Sequence, residues 1–373
     1  MTEVVISGTG LYTPEHAVDN NALVTAFNAW VDAENARHAE AIDAGERDPL
    51  AYSSCAFIEK ASGIRSRYVL DAEGILDPER MRPHLPERSN DEPSIQCSMA
   101  LSAARQALDS ADVAAEDIEL VIVACSNLER AYPAVAVELQ QALGTAGYGF
   151  DMNVACSSAT FAVETAANAI AAGSVKRALV VNPEICSAHL NFRDRDSHFI
   201  FGDACTALVL EHDAVARAEE RYAILGTRLV TQFSNAIRNN AGFLNRVTDA
   251  DPNALDKLFV QEGRRVFKEV CPLVADLIRR HLASLELESG DITRLWLHQA
   301  NQHMNDLIAR KVLGQAPTLE QAPVILDRYA NTSSAGSIIA FHLHREKLKL
   351  GDIGVICSFG AGYSAGSVVL QKA

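Results

Sequence analysis

The sequence lacks any apolar stretch long enough to cross a membrane. Hydrophobic residues make up 48% of its 373 positions, yet no run approaches the roughly 20 apolar residues of a membrane-spanning helix. The first residues, Met1 to Ile6, lack the basic start and long apolar core of a secretion signal and lead directly into a strand pattern. We therefore expect a soluble, cytoplasmic protein that does not insert into membranes.

The sequence also lacks paired cysteines and has fewer basic than acidic residues. The eight cysteines are scattered singly, with no Cys-x-x-Cys motif, so we expect free thiols rather than disulfides or a zinc site. Lys and Arg number 33 against 48 Asp and Glu, which gives a net charge of −15. This charge repels nucleic acid, so an acidic partner would need a local basic patch.

The hydrophobic patterns that are present predict a layered α/β protein. Alternation from Glu3 to Thr9 predicts a strand that ends in a tight turn at Gly8-Thr9-Gly10, and a helix is expected from Asp91 to Ala111. Buried strands of the parallel-sheet type are expected at Leu120 to Cys125, Ala178 to Asn182 and Ala207 to Leu210.

One region departs from this pattern. From Asp19 to about Arg88 the chain is rich in charge and proline, with a helical pattern near Ala22 to Ala41 and no run typical of a central strand. We interpret residues 28–90 as an insertion or lid.

Internal repetition indicates a duplicated chain. The segment Asp117 to Asn127 aligns without gaps with Asp291 to Asn301, and Cys156 to Ala159 falls opposite Thr332 to Ala335. We predict an N-terminal half, 1–215, which carries the insertion, and a C-terminal half, 216–373. Packing two such halves together would bring equivalent turns close in space.

One of these turns carries a candidate nucleophile. The stretch from Asp151 to Phe161 is typical of a strand end that turns into a helix, with Cys156 at the turn. Unpaired backbone N–H groups and the positive end of a helix dipole would favour the thiolate there. The alternative is a buried, inert cysteine, the commoner fate of a single intracellular thiol.

Four motifs, taken in order, resemble a known family. They are Val154-Ala155-Cys156-Ser157-Ser158, His298-Gln299-Ala300-Asn301, Asn331-Thr332-Ser333-Ser334-Ala335 and Ser358-Phe359-Gly360-Ala361-Gly362-Tyr363. Over most of the chain they look like the β-ketoacyl-acyl carrier protein synthase III family of the thiolase superfamily. The resemblance implies a duplicated αβαβα layered fold with two pseudo-symmetric halves. It also implies an acyltransferase of fatty acid biosynthesis that needs no metal and no cofactor beyond the coenzyme A thioester it uses as substrate.

The resemblance implies a decarboxylating Claisen condensation of an acyl-CoA primer with malonyl-acyl carrier protein. Cys156 would become an acyl-enzyme, with an oxyanion hole made of the backbone N–H groups of Cys156 and Ala361. His298 and Asn331 would hydrogen-bond the malonyl thioester carbonyl and stabilise the enolate left by loss of CO2. Without the resemblance, His298 could equally be a hydrogen-bonded histidine of the core, and Asn331 could equally be a residue that caps a turn.

Substrate-binding residues follow from the same resemblance. Phe57 would be the aromatic half of a clamp around the adenine of coenzyme A, but Ala61 stands where the family places the clamp's arginine. The remaining positions that would line the thioester channel are Arg195, Phe267, Lys268, Asn301 and Phe359. A basic patch for docking of the acyl carrier protein, or else a solvated surface, would comprise Arg264, Arg265, Lys268, Arg310 and Lys311.

Tyr132 matches a family position that reaches the pocket floor of a partner subunit, which implies a homodimer. The segment from Ala29 to Leu50 and the neighbouring Ile75-Leu76 look like those of members with medium-chain primers. We therefore expect an octanoyl-like primer and a β-ketodecanoyl product.

Two other functions stay open at this point. A condensation without decarboxylation, of the head-to-head or hydroxymethylglutaryl type, requires a carboxylate base, for which Glu129 is the nearest candidate in sequence. A non-catalytic acyl-binding protein with a thiolase fold is the other, although the joint presence of Cys156, His298 and Asn331 argues against it.

Overall fold

The computed structural model describes residues 4 to 373. Its strands are β1 (Val4–Tyr12), β2 (His16–Asp19), β3 (Ser66–Val69), β4 (Leu120–Ala124), β5 (Tyr148–Met152), β6 (Arg177–Glu184), β7 (Ala204–His212), β8 (Tyr222–Ser234), β9 (Ile237–Arg238), β10 (Val260–Gln261), β11 (Ile292–Leu297), β12 (Ile353–Gly360) and β13 (Gly362–Lys372). Its α-helices are α1 (Asn20–Arg37), α2 (Ala39–Asp43), α3 (Cys55–Ser62), α4 (Glu73–Leu76), α5 (Ile95–Ala111), α6 (Val135–Leu143), α7 (Ser158–Ala171), α8 (Gly263–Ser284), α9 (Gln302–Leu313), α10 (Leu326–Tyr329) and α11 (Ala335–His344).

Nine strands form one mixed sheet in the order β11-β12-β13-β8-β1-β7-β6-β4-β5. Only β4 with β5, β4 with β6, and β11 with β12 are parallel among its neighbouring pairs. The expectation of parallel sheets is therefore wrong for β7 and β13, both of which run antiparallel to their neighbours. The single residue Ala361 joins β12 to β13, and so short a connection permits only an antiparallel pair.

The strand order has an internal symmetry. From the central pair β1 and β8, each side continues outward in matching order: β7, β6, β4 on one side and β13, β12, β11 on the other. This order supports the predicted duplication, and residue 215 falls between β7 and β8. The assignment of two halves stays a prediction.

Helices α7 and α11 form the middle layer of the molecule. Both helices contact strands that lie on either side of the central pair β1 and β8. Their buried faces consist mostly of small and aliphatic side chains such as Ala162, Ala166 and Ile338. Helices α5 and α6 pack on one outer side, and α8 and α9 pack on the other. The arrangement is the expected αβαβα layering, so the predicted fold class is confirmed.

The predicted turn at Gly8 to Gly10 does not exist, because β1 continues to Tyr12. Both glycines instead allow α5 to pack closely on the strand. A Cβ atom at Gly10 would lie 1.9 Å from the Ala103 carbonyl oxygen, and one at Gly8 would lie 2.1 Å from that of Ala107. Close backbone approach, rather than a change of chain direction, explains these glycines.

The predicted insertion contributes no strand to the nine-stranded sheet, as far as residues 4 to 373 are concerned. Its helical pattern corresponds to α1 and α2, and its β3 pairs only with β2. Leu23, Phe27 and Val31 of α1 pack in one hydrophobic cluster with Phe199 and Phe201. The helix predicted from Asp91 begins later, at Ile95, after the Ser94 side chain caps it. None of the helices within residues 4 to 373 has the length and apolarity that a bilayer crossing requires.

We expect Gly10→Ala to destabilise the protein by about 1–3 kcal/mol or more, because the added methyl group overlaps the backbone of α5 and forces strand and helix apart. Thermal unfolding followed by circular dichroism measures this as a lower Tm. Gly290→Ala is the matched control, since no atom lies within 4 Å of its Cβ position. Equal Tm values for the two variants would contradict the close packing of β1 on α5.

Candidate active site

Cys156 lies in a tight turn two residues before α7. The preceding residue, Ala155, has a φ of +48°, the left-handed region that L-residues rarely adopt. Two side chains hold this turn: Asn153 Oδ1 accepts the Ala155 N–H at 2.9 Å, and Ser158 Oγ accepts the Val154 N–H at 2.8 Å. The turn thus fixes the nucleophile candidate at the edge of the middle layer.

The same turn recurs before α11. Ser333 has a φ of +49°, and its N–H donates to Asn331 Oδ1 at 2.9 Å, as Ala155 does to Asn153. By this feature Asn331 corresponds to Asn153, two residues from the sequence alignment, whereas the starts of α7 and α11 differ from that alignment by one residue.

The three predicted catalytic residues line one cavity of about 460 Å³. Cys156 comes from the turn before α7, His298 from the end of β11 and Asn331 from the turn before α11. Phe359 packs edge-on against the His298 ring with centroids 5.1 Å apart. Much of the remaining wall is apolar: Phe199, Ile200, Phe201, Ile237, Phe259, Val266, Phe267, Val270 and Met304.

Cys156 also faces a second cavity of about 250 Å³. The two cavities share Cys156, Phe201, Ile237 and Phe259, so the thiol lies where they meet. Gly360 makes room for it, because a Cβ atom there would lie only 2.6 Å from Cys156 Cβ and 3.0 Å from Sγ. A ligand that reacts at the sulfur can therefore extend to both sides of it.

Burial dominates the electrostatics of the site. Burial, with a smaller effect from nearby Glu184, raises the pKa of the Cys156 thiol to about 11, although the Ser333 side chain and the backbone N–H groups of Cys156 and Ala361 lower it in part. Burial also lowers the pKa of His298 to about 4. The expectation of a thiolate at the helix N-terminus is therefore wrong for the free protein, because desolvation exceeds the effect of the nearby N–H groups. Thiol and imidazole are both neutral near pH 7.

The predicted substrate-binding residues fall in three places. Phe267 and Asn301 line the larger cavity, although the Asn301 side chain also caps α9 and donates to the Ala61 carbonyl at 2.8 Å. Lys268 is exposed on α8 and does not line the cavity. Tyr132 lies elsewhere, 85% exposed, beside Pro133 and Val137.

Arg195 supplies a cation beside the Phe57 ring, where Ala61 does not. Its guanidinium carbon lies 4.0 Å from the centre of the Phe57 ring, and its Nε donates to the Tyr52 carbonyl at 2.8 Å. The two residues are 138 positions apart, so no local sequence signal could have paired them. The aromatic and cationic halves of a clamp are thus both present.

Glu184, a carboxylate that is 1% exposed at the end of β6, is a further residue of the site that no sequence motif indicates. Its strand pattern, Arg177 to Glu184, gives no signal that its last residue faces two buried turns. No group of His, Cys, Asp and Glu side chains that could hold a metal ion occurs within residues 4 to 373.

Comparison with solved structures defines the class of protein. The chain matches the 3-oxoacyl-(acyl carrier protein) synthase III of Pseudomonas aeruginosa with a TM-score of 0.76 at 25% identity, over 99% of this chain and 98% of that one. It matches the priming β-ketosynthase of the R1128 polyketide pathway with a TM-score of 0.78 at 25% identity, over 99% and 96%. Fold and site together define an enzyme of the thiolase fold.

Sequence comparisons identify the family. Models of the 3-oxoacyl-[acyl-carrier-protein] synthase III and of its C-terminal region match residues 150–232 and 282–372. The chain is 62% identical over 347 residues to the β-ketodecanoyl-[acyl-carrier-protein] synthase of Pseudomonas aeruginosa, which covers 93% of this chain and 99% of that protein. It is 29% identical over full length to the β-ketoacyl-[acyl-carrier-protein] synthase III of Acidiphilium cryptum. The chain belongs to the 3-oxoacyl-[acyl-carrier-protein] synthase III family, and the predicted family and transferase class are confirmed.

We expect the alkylation of Cys156 by iodoacetamide to rise about tenfold per pH unit from pH 7 to pH 9, without a plateau. A thiol whose pKa is about 11 gains thiolate in proportion to hydroxide over this range. Peptide mapping distinguishes Cys156 from Cys55, which is also partly exposed, and Cys156→Ala gives the background. A plateau below pH 8 would contradict the neutral thiol and indicate an ion pair with His298.

Proposed function

We propose that this enzyme condenses a medium-chain acyl thioester with malonyl-acyl carrier protein, with loss of CO2, through an acyl group carried on Cys156. The observation that carries the proposal is the convergence of Cys156, His298 and Asn331 on one largely apolar cavity. The close relative named a β-ketodecanoyl synthase supports the medium chain length. These steps use only groups of the chain and the two thioesters.

In the first half-reaction, Cys156 Sγ attacks the primer's carbonyl carbon and the thiol of the carrier leaves. Because the resting thiol and imidazole are neutral, the proton leaves sulfur as the S–C bond forms and passes to the departing thiolate. The backbone N–H groups of Cys156 and Ala361, both adjacent to the sulfur, supply the oxyanion hole.

In the second half-reaction, His298 and Asn331 bind the malonyl thioester carbonyl. Asn331 Oδ1 already accepts the Ser333 N–H, so the amide Nδ2 is left as the donor to the substrate. A neutral imidazole also has one N–H to donate. Two donors in a water-poor cavity stabilise the enolate formed when CO2 leaves, and the enolate carbon then attacks the acyl-Cys156 carbonyl.

The entrance of the larger cavity offers features for the carriers of both substrates. Arg195 stacked on Phe57 would open to hold the adenine of coenzyme A between them. Arg264 lies at the cavity, and Lys268 follows it by one turn on the exposed face of α8. With Arg310 and Lys311 on neighbouring α9 they provide local positive charge on an acidic protein, which suits docking of an acidic carrier protein. Arg265 contributes less, because Glu262 and Glu269 pair with it.

A homodimer would complete the smaller cavity. Strand β5 forms one edge of the nine-stranded sheet, and an edge strand presents backbone groups that a second copy can pair with. Tyr132, on the loop between β4 and α6, is 85% exposed and would reach the partner's cavity. The unpaired state of all eight cysteines fits a reducing compartment such as the cytoplasm.

The similarity to a β-ketodecanoyl synthase supports an eight-carbon primer. Addition of two carbons from malonyl thioester to an octanoyl primer gives a β-ketodecanoyl product.

The condensation without decarboxylation is less well supported. Glu129, its candidate base, accepts the Gln96 N–H at 3.0 Å and the Ile95 N–H at 3.3 Å at the start of α5. It lines the groove beside Tyr132 rather than either cavity that contains Cys156. Measurement of CO2 release from malonyl-acyl carrier protein separates the two reactions.

We expect Asn331→Ala to lose at least 100-fold in condensation while Cys156 is still acylated at a measurable rate. The lost amide donor acts on the enolate and not on the first tetrahedral intermediate. Intact-mass spectrometry follows acylation, and product formation from malonyl-acyl carrier protein follows condensation. Asn331→Asp, which keeps the Oδ1 acceptor for the Ser333 N–H but lacks the amide donor, separates loss of the donor from loss of the turn. Condensation at the parent rate by Asn331→Ala would assign Asn331 a turn-capping role only.

We expect kcat/KM to be highest near octanoyl-CoA, with acetyl-CoA a poor primer. Each methylene buried in an apolar cavity contributes about 0.8 kcal/mol, so affinity rises several-fold per two carbons until the cavity is full. Tyr132→Ala, which would deepen the cavity, should move the maximum to longer chains. A series of acetyl, butyryl, octanoyl and dodecanoyl primers measures this, and a maximum at acetyl would refute the medium-chain proposal.

A further inference from the structure

Glu184 is a buried carboxylate that the proposed reaction does not use. It ends β6 and accepts hydrogen bonds from two turns that carry catalytic candidates. The Ser126 N–H donates to Oε1 at 3.0 Å and the Ser126 hydroxyl to Oε2 at 2.6 Å. The Ser334 N–H donates to Oε1 at 3.1 Å, and the Ser334 hydroxyl donates to the same oxygen. One carboxylate therefore holds four donors from two distant parts of the chain.

Each donor is linked to the active site by a short path. Ser126 follows β4, and its carbonyl accepts the Asn153 side chain at 2.9 Å, which in turn holds the left-handed turn before Cys156. Ser334 lies three residues after Asn331, at the N-terminus of α11. Glu184 thus joins the turn that carries the nucleophile to the turn that carries the amide donor.

No ion pair joins Glu184 to a Lys, Arg or His side chain within residues 4 to 373. The titratable groups that face it are thiols: Cys186 Sγ lies 3.9 Å from Oε2, and Cys125, Cys156 and Cys205 all respond to its charge. Burial raises the pKa of Glu184 to about 7, against the opposing effect of the four donors. A negative charge at Glu184 and one at Cys156 oppose each other in this desolvated space.

We propose that Glu184 is a positioning residue that fixes the turn of Asn331 relative to the turn of Cys156. The inference rests on the proposed function. Ser334 lies three residues after Asn331, so loss of its hydrogen bonds to Glu184 would displace the amide donor that condensation uses.

The test is Glu184→Gln, which keeps the shape of the side chain, removes its charge and replaces one acceptor with a donor that faces the serine donors. We expect the alkylation rate of Cys156 at pH 8 to rise several-fold, because its pH profile shifts to lower pH. We expect kcat for condensation to fall at least tenfold while acylation of Cys156 by octanoyl-CoA changes less than threefold. A purely structural role would slow both half-reactions together and leave the pH profile of the thiol in place.

Glu211→Gln is the matched control. Glu211 is also a fully buried carboxylate of the same sheet, but it pairs with Arg177 at 2.7 Å, away from both cavities. It should lower the Tm without a change in the pH profile of Cys156 or in the ratio of condensation to acylation. The same changes in both variants would overturn the inference.

Two serine variants cover the case in which Glu184→Gln does not fold. Ser334→Ala removes one donor beside Asn331 and should reduce condensation more than acylation, whereas Ser126→Ala, beside the Cys156 turn, should affect both. Equal effects of the two would overturn the positioning role. A parent enzyme that is never acylated at Cys156 would overturn the proposed function itself, whereas a normally acylated parent with an unchanged Glu184→Gln variant would overturn only this inference.

Discussion

The structure depends on the burial of two helix N-termini in one middle layer. Helices α7 and α11 both begin among buried residues, so the N–H groups at their starts must find partners inside the protein. Side chains of the preceding turns supply some of them: Asn153 before α7 and Asn331 before α11 each accept an N–H two residues on. Glu184 supplies more at Ser334. Because these N–H groups need hydrogen-bond partners, polar side chains are concentrated where α7 and α11 begin. The active site forms at the same place.

Desolvation gives this site its chemical character. Cys156 and His298 are both neutral because burial raises the pKa of the thiol and lowers the pKa of the imidazole. A site without resting charges reacts little with solvent or with oxidants, since the thiolate is the reactive form of cysteine. Activation of the thiol then depends on substrates that bring their own polar carbonyl and displace the remaining water. Specificity and reactivity are therefore provided by the same binding step.

Local patterns predicted the strands, the helices and the four motifs, because burial and turn formation leave their signals in neighbouring residues. Predictions were wrong where the same short sequence is compatible with two different local structures. Gly8 and Gly10 fit a tight turn by sequence, but in the structure they admit a helix backbone. Contacts across the fold left no local signal: Arg195 reaches Phe57, and Glu184 reaches Ser334, only in three dimensions. The pKa of Cys156 likewise depends on cavity walls from many elements, which no motif records.

The meeting of two cavities at Cys156 also determines how the enzyme can be inhibited. The larger cavity contains the sulfur, His298 and Asn331 together, whereas the smaller one contains only the sulfur of these three. A molecule that fills the larger cavity would exclude both thioesters, and its inhibition would not be relieved by excess of either one alone. A molecule confined to the smaller cavity would leave His298 and Asn331 accessible and block only groups that extend past the sulfur on that side. Two inhibitor classes with different kinetic patterns are therefore available from one nucleophile.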